Sequence, residues 1–198
     1  VELGQVRHPR RSAVRRQALG HMGSIEKTKG IQLLIQAMPL ILQKAPRAEL
    51  HIFGRGPFEA EMESLVKASP AKNHIRVRGG MDHHRLFAEL PRYGVAFAPY
   101  LEKPDSITYW ADATKPKEYL ACGLPLIITK VPWIWEKVAD PRRPMGIAIS
   151  YNRDELVRAC LKLLGDEKFY WRCRRNALAF AAGLDWAGIY RKAFADLG

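Results

Sequence analysis

Cysteine is scarce in this 198-residue sequence, and long apolar runs are missing. The three cysteines (Cys122, Cys160 and Cys173) include no CxxC pair, which argues against a disulfide framework or a zinc site and predicts buried, inert thiols. No apolar run is long enough to cross a bilayer, and residues 31–42, the longest, are interrupted by polar residues and so predict a buried helix. A signal-peptide stretch is also lacking, so we expect a protein of the reducing cytoplasm.

Two motif classes are absent as well. There is no full GxGxxG, so the usual dinucleotide fingerprint is missing. No DxD-like pair of carboxylates falls in a predicted ligand loop, and we therefore predict no metal site. The adjacent His83 and His84 are interpreted as surface groups.

Positive charge is abundant. The net charge is +12, and much of it lies in residues 7–16 and 168–175. Such a chain suits anionic partners: nucleotides, nucleic acid or an anionic membrane surface. The alternative is a pair of solvated basic faces. Because the basic stretches lack interleaved aromatic residues, a single-stranded nucleic-acid groove is not predicted.

Strand and helix patterns alternate along the chain. Apolar runs predict six strands, and each is separated from the next by a helix or a loop of crossover length, as parallel strands require. The fold class is therefore α/β, a Rossmann-like doubly wound parallel sheet of about six strands with helices on both faces. The predicted strands cover residues 17–23, 48–53, 74–78, 95–99, 125–129 and 146–149. The predicted helices cover residues 31–44, 58–68, 82–90, 115–122 and 132–139, with two or three more pieces after residue 153 that break near Gly165 and Gly183.

The loop after the first strand, residues 23–30, is the first candidate site. Gly23 lets a backbone approach a ligand closely, and the helix that follows offers free N–H groups to an anion. Lys29 can add a full positive charge. The alternative is an ordinary turn with a solvated lysine.

Two further loops carry weaker signals. Gly54 and Arg55 follow the second strand, where the glycine permits close approach and the arginine can pair with phosphate or a sugar carboxylate. Arg78 and Gly79 follow the third strand, where exposed backbone can meet the edge of a base, although their position favours a tight turn over this role.

The segment that begins at Thr114 carries the strongest signal. Pro116 suits the first turn of a helix, so the Thr114 hydroxyl, the first amides and Lys115 would face one anion. Glu118 lies about one turn from Lys115 on the same side and can accept two hydrogen bonds from a cis-diol such as ribose. A capped helix with an i,i+3 ion pair is the alternative.

At this segment the sequence resembles the family-4 type of glycosyltransferases with the GT-B fold. Residues 114–127, TKPKEYLACGLPLI, follow the family pattern P-T/I-K-x-x-E-Y-L/M-A-x-G-x-P-V-I almost throughout. Residues 20–30, GHMGSIEKTKG, resemble G-x-x-G-R-L…K-G, and residues 48–57, AELHIFGRGP, resemble a-x-L-x-I-x-G-x-G-P. The likeness extends over about residues 17–195.

The resemblance assigns roles to these residues. Lys29 and Lys115 would hold the diphosphate of a nucleotide-sugar donor, and Glu118 would bind the ribose hydroxyls; these three are the candidate catalytic groups. The complete candidate binding set is Gly23, Ser24, Lys29, Gly54, Arg55, Arg78, Gly79, Thr114, Lys115 and Glu118. The implied domains are a basic arm or interdomain remnant at 1–16, a nucleotide-sugar-binding domain at 17–183 and a closing helix, containing Trp186, at 184–198.

Two positions depart from the family pattern. Ser24 stands where an arginine is usual, so one phosphate contact is lost or comes from elsewhere, for example Arg55. Trp110 stands where many members have a glutamate, eight residues before Glu118, and Asp105 or Asp112 is the candidate substitute.

The function implied is that of a glycosyltransferase donor domain. It would bind a UDP- or GDP-sugar, need no cofactor, and transfer the sugar, without metal and with retention, to an acceptor held by an absent N-terminal domain. Cell-envelope polysaccharide synthesis is the expected setting, in the cytoplasm or peripherally at the inner face of an anionic membrane, without nucleic acid. The alternatives are a nucleotide-sugar epimerase of the same fold and a non-catalytic module that binds nucleotide or a partner.

Overall fold

A computed structural model describes residues 6–102, 114–131 and 133–184 of the chain. Its centre is one parallel sheet with strand order β3-β2-β1-β4-β5-β6. The chain builds outward from β1 to β3, returns to place β4 beside β1, and then builds outward in the other direction. This confirms the predicted doubly wound sheet. The strands are β1 Arg15–Met22, β2 Glu49–Phe53, β3 Ile75–Gly79, β4 Tyr93–Ala98, β5 Leu126–Thr129 and β6 Gly146–Ile149.

Helices cover both faces of this sheet. One apolar cluster joins it to α1, α2 and α6, and a second joins it to α3, α4, α5 and α7. The helices in the described ranges are α1 Ile31–Leu42, α2 Glu59–Ala68, α3 His83–Glu89, α4 Thr114–Ala121, α5 Trp135–Val138, α6 Arg153–Gly165 and α7 Glu167–Ala181. None of them is long and apolar enough to cross a membrane.

The central strand β4 shows why the sheet is covered on both sides. Every residue of β4 is buried. Val95 and Phe97 pack into the first cluster, whereas Ala96 and Ala98 pack into the second. Because both alternating faces of the strand are apolar, burial on one side alone would leave the other side in water.

Side-chain caps begin several helices. Asp82 accepts hydrogen bonds from the backbone nitrogens of His84 and Arg85, which confirms the predicted cap of α3. Asn152 caps α6, and Asp166 caps α7, in the same way. A short polar side chain at this position satisfies N–H groups that the helix leaves unpaired.

The start of the sheet differs from the prediction by two residues. We predicted a strand from residue 17, but β1 begins at Arg15. Arg16 donates to the carbonyl oxygens of Leu163 and Leu164 and lies 4.7 Å from the centre of the Tyr170 ring. Its charge is therefore satisfied at the C-terminal end of α6, where a cation is favourable. Because its charge is satisfied in this way, Arg16 can lie in a β-strand, although its charge by itself argues against a strand at this position.

All three cysteines lie in the described ranges, and their thiols are buried and free, as predicted. Burial raises the pKa of Cys160 and of Cys173 to about 12, so both stay protonated and unreactive at neutral pH.

Residues 1–5 and 185–198 lie outside the described residues, and with them part of the predicted arm and most of the predicted closing helix, Trp186 included.

Candidate functional site

The strand order reverses between β1 and β4, and Gly23, Lys29, Lys115 and Glu118 lie near that point. In open parallel sheets, ligands bind beyond the carboxyl ends of the strands where the order reverses. Here the loop after β1, the residues after β4 and the first turn of α4 meet at this edge. A carbon placed on Gly23 as a Cβ would lie 3.9 Å from Cγ of Lys115. The structure thus brings Gly23 and Lys115 together.

The loops after β1 and β2 are hydrogen-bonded to each other. The backbone nitrogen of Gly23 donates to the oxygen of Phe53 at 3.0 Å, and that of Ile25 donates to the oxygen of Arg55 at 2.9 Å. Gly54 has a φ of 142°, and a Cβ there would lie 1.8 Å from the Gly23 oxygen. Gly54 is therefore required for packing between the two loops. The sequence predicted a different role for this glycine, close approach to a ligand.

Lys29 ends the loop after β1. It lies in the short turn Lys27–Lys29, and its Nζ is 5.5 Å from the centre of the Tyr100 ring. The backbone nitrogen of Leu101 donates to the Thr28 oxygen at 2.9 Å, which fixes this turn to the residues that follow β4. Lys29 is thereby held beside the exit of the central strand.

Tyr100 lies near both Lys29 and Glu118. Burial, and after it the charge of Glu118, raises the pKa of the Tyr100 phenol above its usual value. The phenol ring therefore has a lysine over it and a carboxylate close enough to disfavour its ionisation. Tyr100 was not among the predicted site residues, because only the strand order brings these three side chains to one place.

Glu26 is an acidic residue inside the same loop. Its two carboxylate oxygens accept hydrogen bonds from the hydroxyls of Ser24 at 2.6 Å and Thr28 at 3.3 Å. The Ser24 bond is the main cause that lowers the pKa of Glu26. Ser24, which stands where the family pattern has arginine, therefore holds a carboxylate. The sequence interpretation missed Glu26, although its position between Ser24 and Thr28 was visible.

Lys115 and Glu118 form an ion pair on α4. Nζ of Lys115 lies 2.8 Å from Oε2 of Glu118, with the i,i+3 spacing expected from the sequence. The Glu118 side chain is only 8% exposed, whereas Lys115 is 38% exposed. The carboxylate is thus the inner member of the pair and the ammonium group the outer one. Thr114 is exposed at the first position of the helix.

Tyr119, the next residue, fastens α4 to β1. Its phenol oxygen accepts a hydrogen bond from the backbone nitrogen of Met22 and donates one to the backbone oxygen of the same residue. The side chain is fully buried. This double contact fixes the second turn of α4 against the end of β1, one residue before Gly23.

His83 contacts the same carboxylate from a different element. Its Nε2 lies 3.4 Å from Oε1 of Glu118. The side chain is 53% exposed, so the predicted surface position is confirmed, but the contact with Glu118 was missed. Local sequence carries no signal for it, because 35 residues separate the two partners.

Arg55 and Arg78 have partners of their own. Arg55 forms a short ion pair with Glu59, and its guanidinium lies against Gly79. Arg78 lies 3.6 Å from a carboxylate oxygen of Glu89 and over the Phe53 ring. Arg78 therefore takes part in a contact network on the face of the sheet, and the contacts described for it do not include Lys115 or Glu118. Trp110, Asp105 and Asp112 lie outside the described residues.

Comparison with known proteins decides the family. Residues 7–180 match the family model described as Glycosyl transferases group 1. The chain belongs to this family. Alpha-D-kanosaminyltransferase from Streptomyces kanamyceticus is 22% identical over 191 residues, a match that covers 87% of this chain and 45% of that protein. The chain thus spans less than half the length of this curated relative.

Solved structures share the fold. Anabaena Alr3699/HepE, in complex with UDP and glucose, matches with a TM-score of 0.76 and 15% identity over 100% of this chain and 55% of that chain. The C-terminal domain of LpcC, a group 1 protein from Francisella tularensis, matches with a TM-score of 0.74 and 18% identity over 92% of this chain and 97% of that domain. This member of the group 1 family therefore has the fold of the C-terminal domain of GT-B proteins, as its motifs imply.

Proposed function

We propose that this domain binds the nucleoside diphosphate sugar from which a group 1 glycosyl transferase transfers its sugar. Lys115 and Lys29 bind the diphosphate, and Glu118 accepts hydrogen bonds from the ribose hydroxyls. The observation that carries the proposal is the ion pair at the start of α4, in which an outward ammonium group and an inner carboxylate lie beside the loop after β1.

The surrounding geometry suits these two roles. The first amides of α4 and the Lys115 side chain present positive charge at one end of a helix, which favours a phosphate group. The Glu118 carboxylate lies deeper in the protein than the Lys115 ammonium group. Because a carboxylate only accepts hydrogen bonds, it suits hydroxyl groups and not phosphate. Tyr119 keeps both in place through Met22. That Alr3699/HepE, which has this fold, was solved with UDP and glucose supports the assignment.

The proposed chemistry follows from where charge develops. When the bond between the sugar and the diphosphate breaks, negative charge grows on the leaving diphosphate. Ammonium groups and helix amides fixed near that oxygen stabilise the transition state more than the ground state. We propose that this happens without a metal ion and with retention of configuration.

The site for the sugar acceptor is proposed for the whole enzyme and not for this domain. Because the chain covers 45% of the curated relative, we propose that a further domain holds the acceptor and closes over the donor. A UDP- or GDP-sugar is the proposed donor, and synthesis of cell-envelope polysaccharide in the cytoplasm, or at the inner face of the membrane, is the proposed setting. The net charge of +12 supports peripheral contact with anionic lipid.

Calorimetric titration of the 198-residue chain with UDP, GDP and ADP tests the binding proposal. We expect saturable binding of UDP or GDP, weakened at least about tenfold by Lys115→Ala because a charge-assisted contact with phosphate is lost. Lys117→Ala is the matched control, since Lys117 lies on the same helix but over the Trp133 ring, and we expect it to bind normally. Equal affinities in the two variants would contradict the site, and no binding by the wild-type chain would contradict the proposed function.

A further inference from the structure

His83 is held rigidly at the beginning of α3. The Asp82 cap fixes the backbone of the first turn, because its carboxylate accepts from the nitrogens of both His84 and Arg85. The His83 ring then packs edge-on against Phe87, with 4.3 Å between ring centres. Phe87 itself is buried in the core. The ring therefore has a defined position although half of its surface faces solvent.

The ring contacts the carboxylate opposite Lys115. Oε1 of Glu118 lies 3.4 Å from Nε2 of His83, and Oε2 lies 2.8 Å from Nζ of Lys115. Two donors on two different helices thus bind the two oxygens of one nearly buried carboxylate. Each carboxylate oxygen has about two acceptor positions, so each can still accept a hydrogen bond from a ligand.

Lys115 has two roles that compete. In the ligand-free chain it neutralises Glu118, whereas in the donor complex it is needed by the diphosphate. A buried carboxylate left without any donor is strongly disfavoured, so Glu118 needs its second donor once Lys115 leaves it. His83 contacts the carboxylate oxygen that Lys115 does not, so it can keep Glu118 oriented during this exchange.

We propose that His83 is a positioning residue of the donor site, which holds the Glu118 carboxylate for the ribose hydroxyls while Lys115 turns to the diphosphate. This inference rests on the proposed function, because it assumes that Glu118 binds ribose. It gives α3 a part in nucleotide recognition that its sequence did not reveal. It also predicts that the contribution of His83 to affinity depends on the ribose hydroxyl groups.

Titrations with a nucleotide and its analogue test this dependence. The ligands are UDP or GDP, whichever the wild-type chain binds more tightly, and the 2′,3′-dideoxy form of the same diphosphate. We expect His83→Ala to weaken the ribonucleotide about three- to tenfold and to change the affinity for the dideoxy form little. His83→Gln, whose amide N–H can replace the ring N–H, should restore most of the affinity. His84→Ala is the matched control, because His84 is exposed on the same turn, and it should bind like wild type.

The outcomes separate this inference from the proposed function. If His83→Ala weakens both ligands equally, or weakens neither, the proposed role of His83 is wrong. The proposed function still holds in that case if Glu118→Gln weakens binding of the ribonucleotide. A failure of His83→Gln to restore affinity, with urea unfolding like that of wild type, would overturn the role of His83 as well. If the wild-type chain binds neither UDP nor GDP, both this inference and the proposed function are wrong.

Discussion

The Tyr119 phenol oxygen lies 2.5 Å from the backbone nitrogen of Met22 and 3.1 Å from its backbone oxygen. One hydroxyl thus serves as acceptor and donor to a single residue at the end of β1. Burial is the main cause that raises the pKa of Tyr119 well above its usual value, so the hydroxyl keeps its proton at neutral pH. This contact joins α4, which carries Lys115 and Glu118, to the strand that leads into the loop of Gly23.

Tyr119→Phe should therefore reduce both stability and nucleotide affinity. Removing the hydroxyl leaves two buried backbone groups of Met22 with fewer partners, which should lower the free energy of unfolding by about 1–3 kcal/mol. Nucleotide affinity should fall several-fold, because α4 is no longer fixed against β1. Urea unfolding and calorimetry measure the two effects. Normal affinity in a destabilised Tyr119→Phe would show that the contact does not position the site.

Gly54→Ala should destabilise the domain through the contact between its two loops. A Cβ at this residue would lie 1.8 Å from the Gly23 oxygen, and the φ of 142° is unfavourable for alanine. We expect a loss of about 3 kcal/mol or more in the free energy of unfolding.

Gly165→Ala is the matched control for this substitution. Gly165 ends α6, and a Cβ there would meet nothing within 4 Å. Since alanine is a better helix former than glycine, we expect unchanged or slightly increased stability. Equal losses in the two variants would contradict the role of Gly54 in loop packing.

Stability should fall on acidification because of His21. Burial is the main cause that lowers its pKa from 6.5 to about 4, against the opposing effect of a 3.1 Å contact between Nδ1 and the Phe97 oxygen. A group that is neutral in the folded chain but protonated in the unfolded chain lowers stability as pH falls from about 6.5 to about 4. This pKa difference corresponds to about 3 kcal/mol, lost over that range.

Urea unfolding of the wild-type chain and of His21→Phe between pH 4 and pH 7 measures this effect. The variant should be less stable at pH 7, because it loses the contact with Phe97, but its stability should depend less on pH. Some dependence should remain, since burial also lowers the pKa of His51. The same pH slope in both proteins would be inconsistent with a buried neutral His21.

Removal of divalent metal should leave nucleotide binding unchanged. In the described part of the chain, no group of three or more histidine, cysteine, aspartate or glutamate residues is arranged to hold a metal ion. Lysines are the proposed diphosphate ligands instead, so the affinity for UDP or GDP in EDTA should equal that in magnesium. A large loss of affinity in EDTA, restored by magnesium, would contradict the metal-independent proposal.

The sequence predicted those features that are determined by residues close together in the chain. The second, third, fifth and sixth strands begin and end within one residue of prediction, because a glycine, proline or polar residue marks their ends, whereas the fourth begins two residues early, at Tyr93. The pairing of Lys115 with Glu118 followed from helical spacing alone. The early start of β1 could not be predicted, since it depends on where the guanidinium of Arg16 finds its acceptors at the end of α6.

The remaining site contacts depend on strand order. The contact of His83 with Glu118 and the packing of Gly54 on Gly23 join segments that are distant in sequence. They arise because β3, β2, β1 and β4 are neighbours in the sheet, and a composition or spacing pattern does not contain that order. Glu26 is different, because its partners are two residues away on either side and its position was visible in the sequence.

Chemical-shift mapping of the isotope-labelled chain during titration with UDP or GDP tests the central claim most directly, since it reports where the ligand binds. We expect the largest amide changes in the loop after β1, at Gly23 and Ser24, and in α4, at Lys115 and Glu118. A depression of about 610 Å³ with Lys137, Arg143, Arg175 and Asp140 in its lining lies elsewhere on the surface. Largest changes at that depression, with the residues of α4 unaffected, would show that the nucleotide does not bind at Lys115 and Glu118.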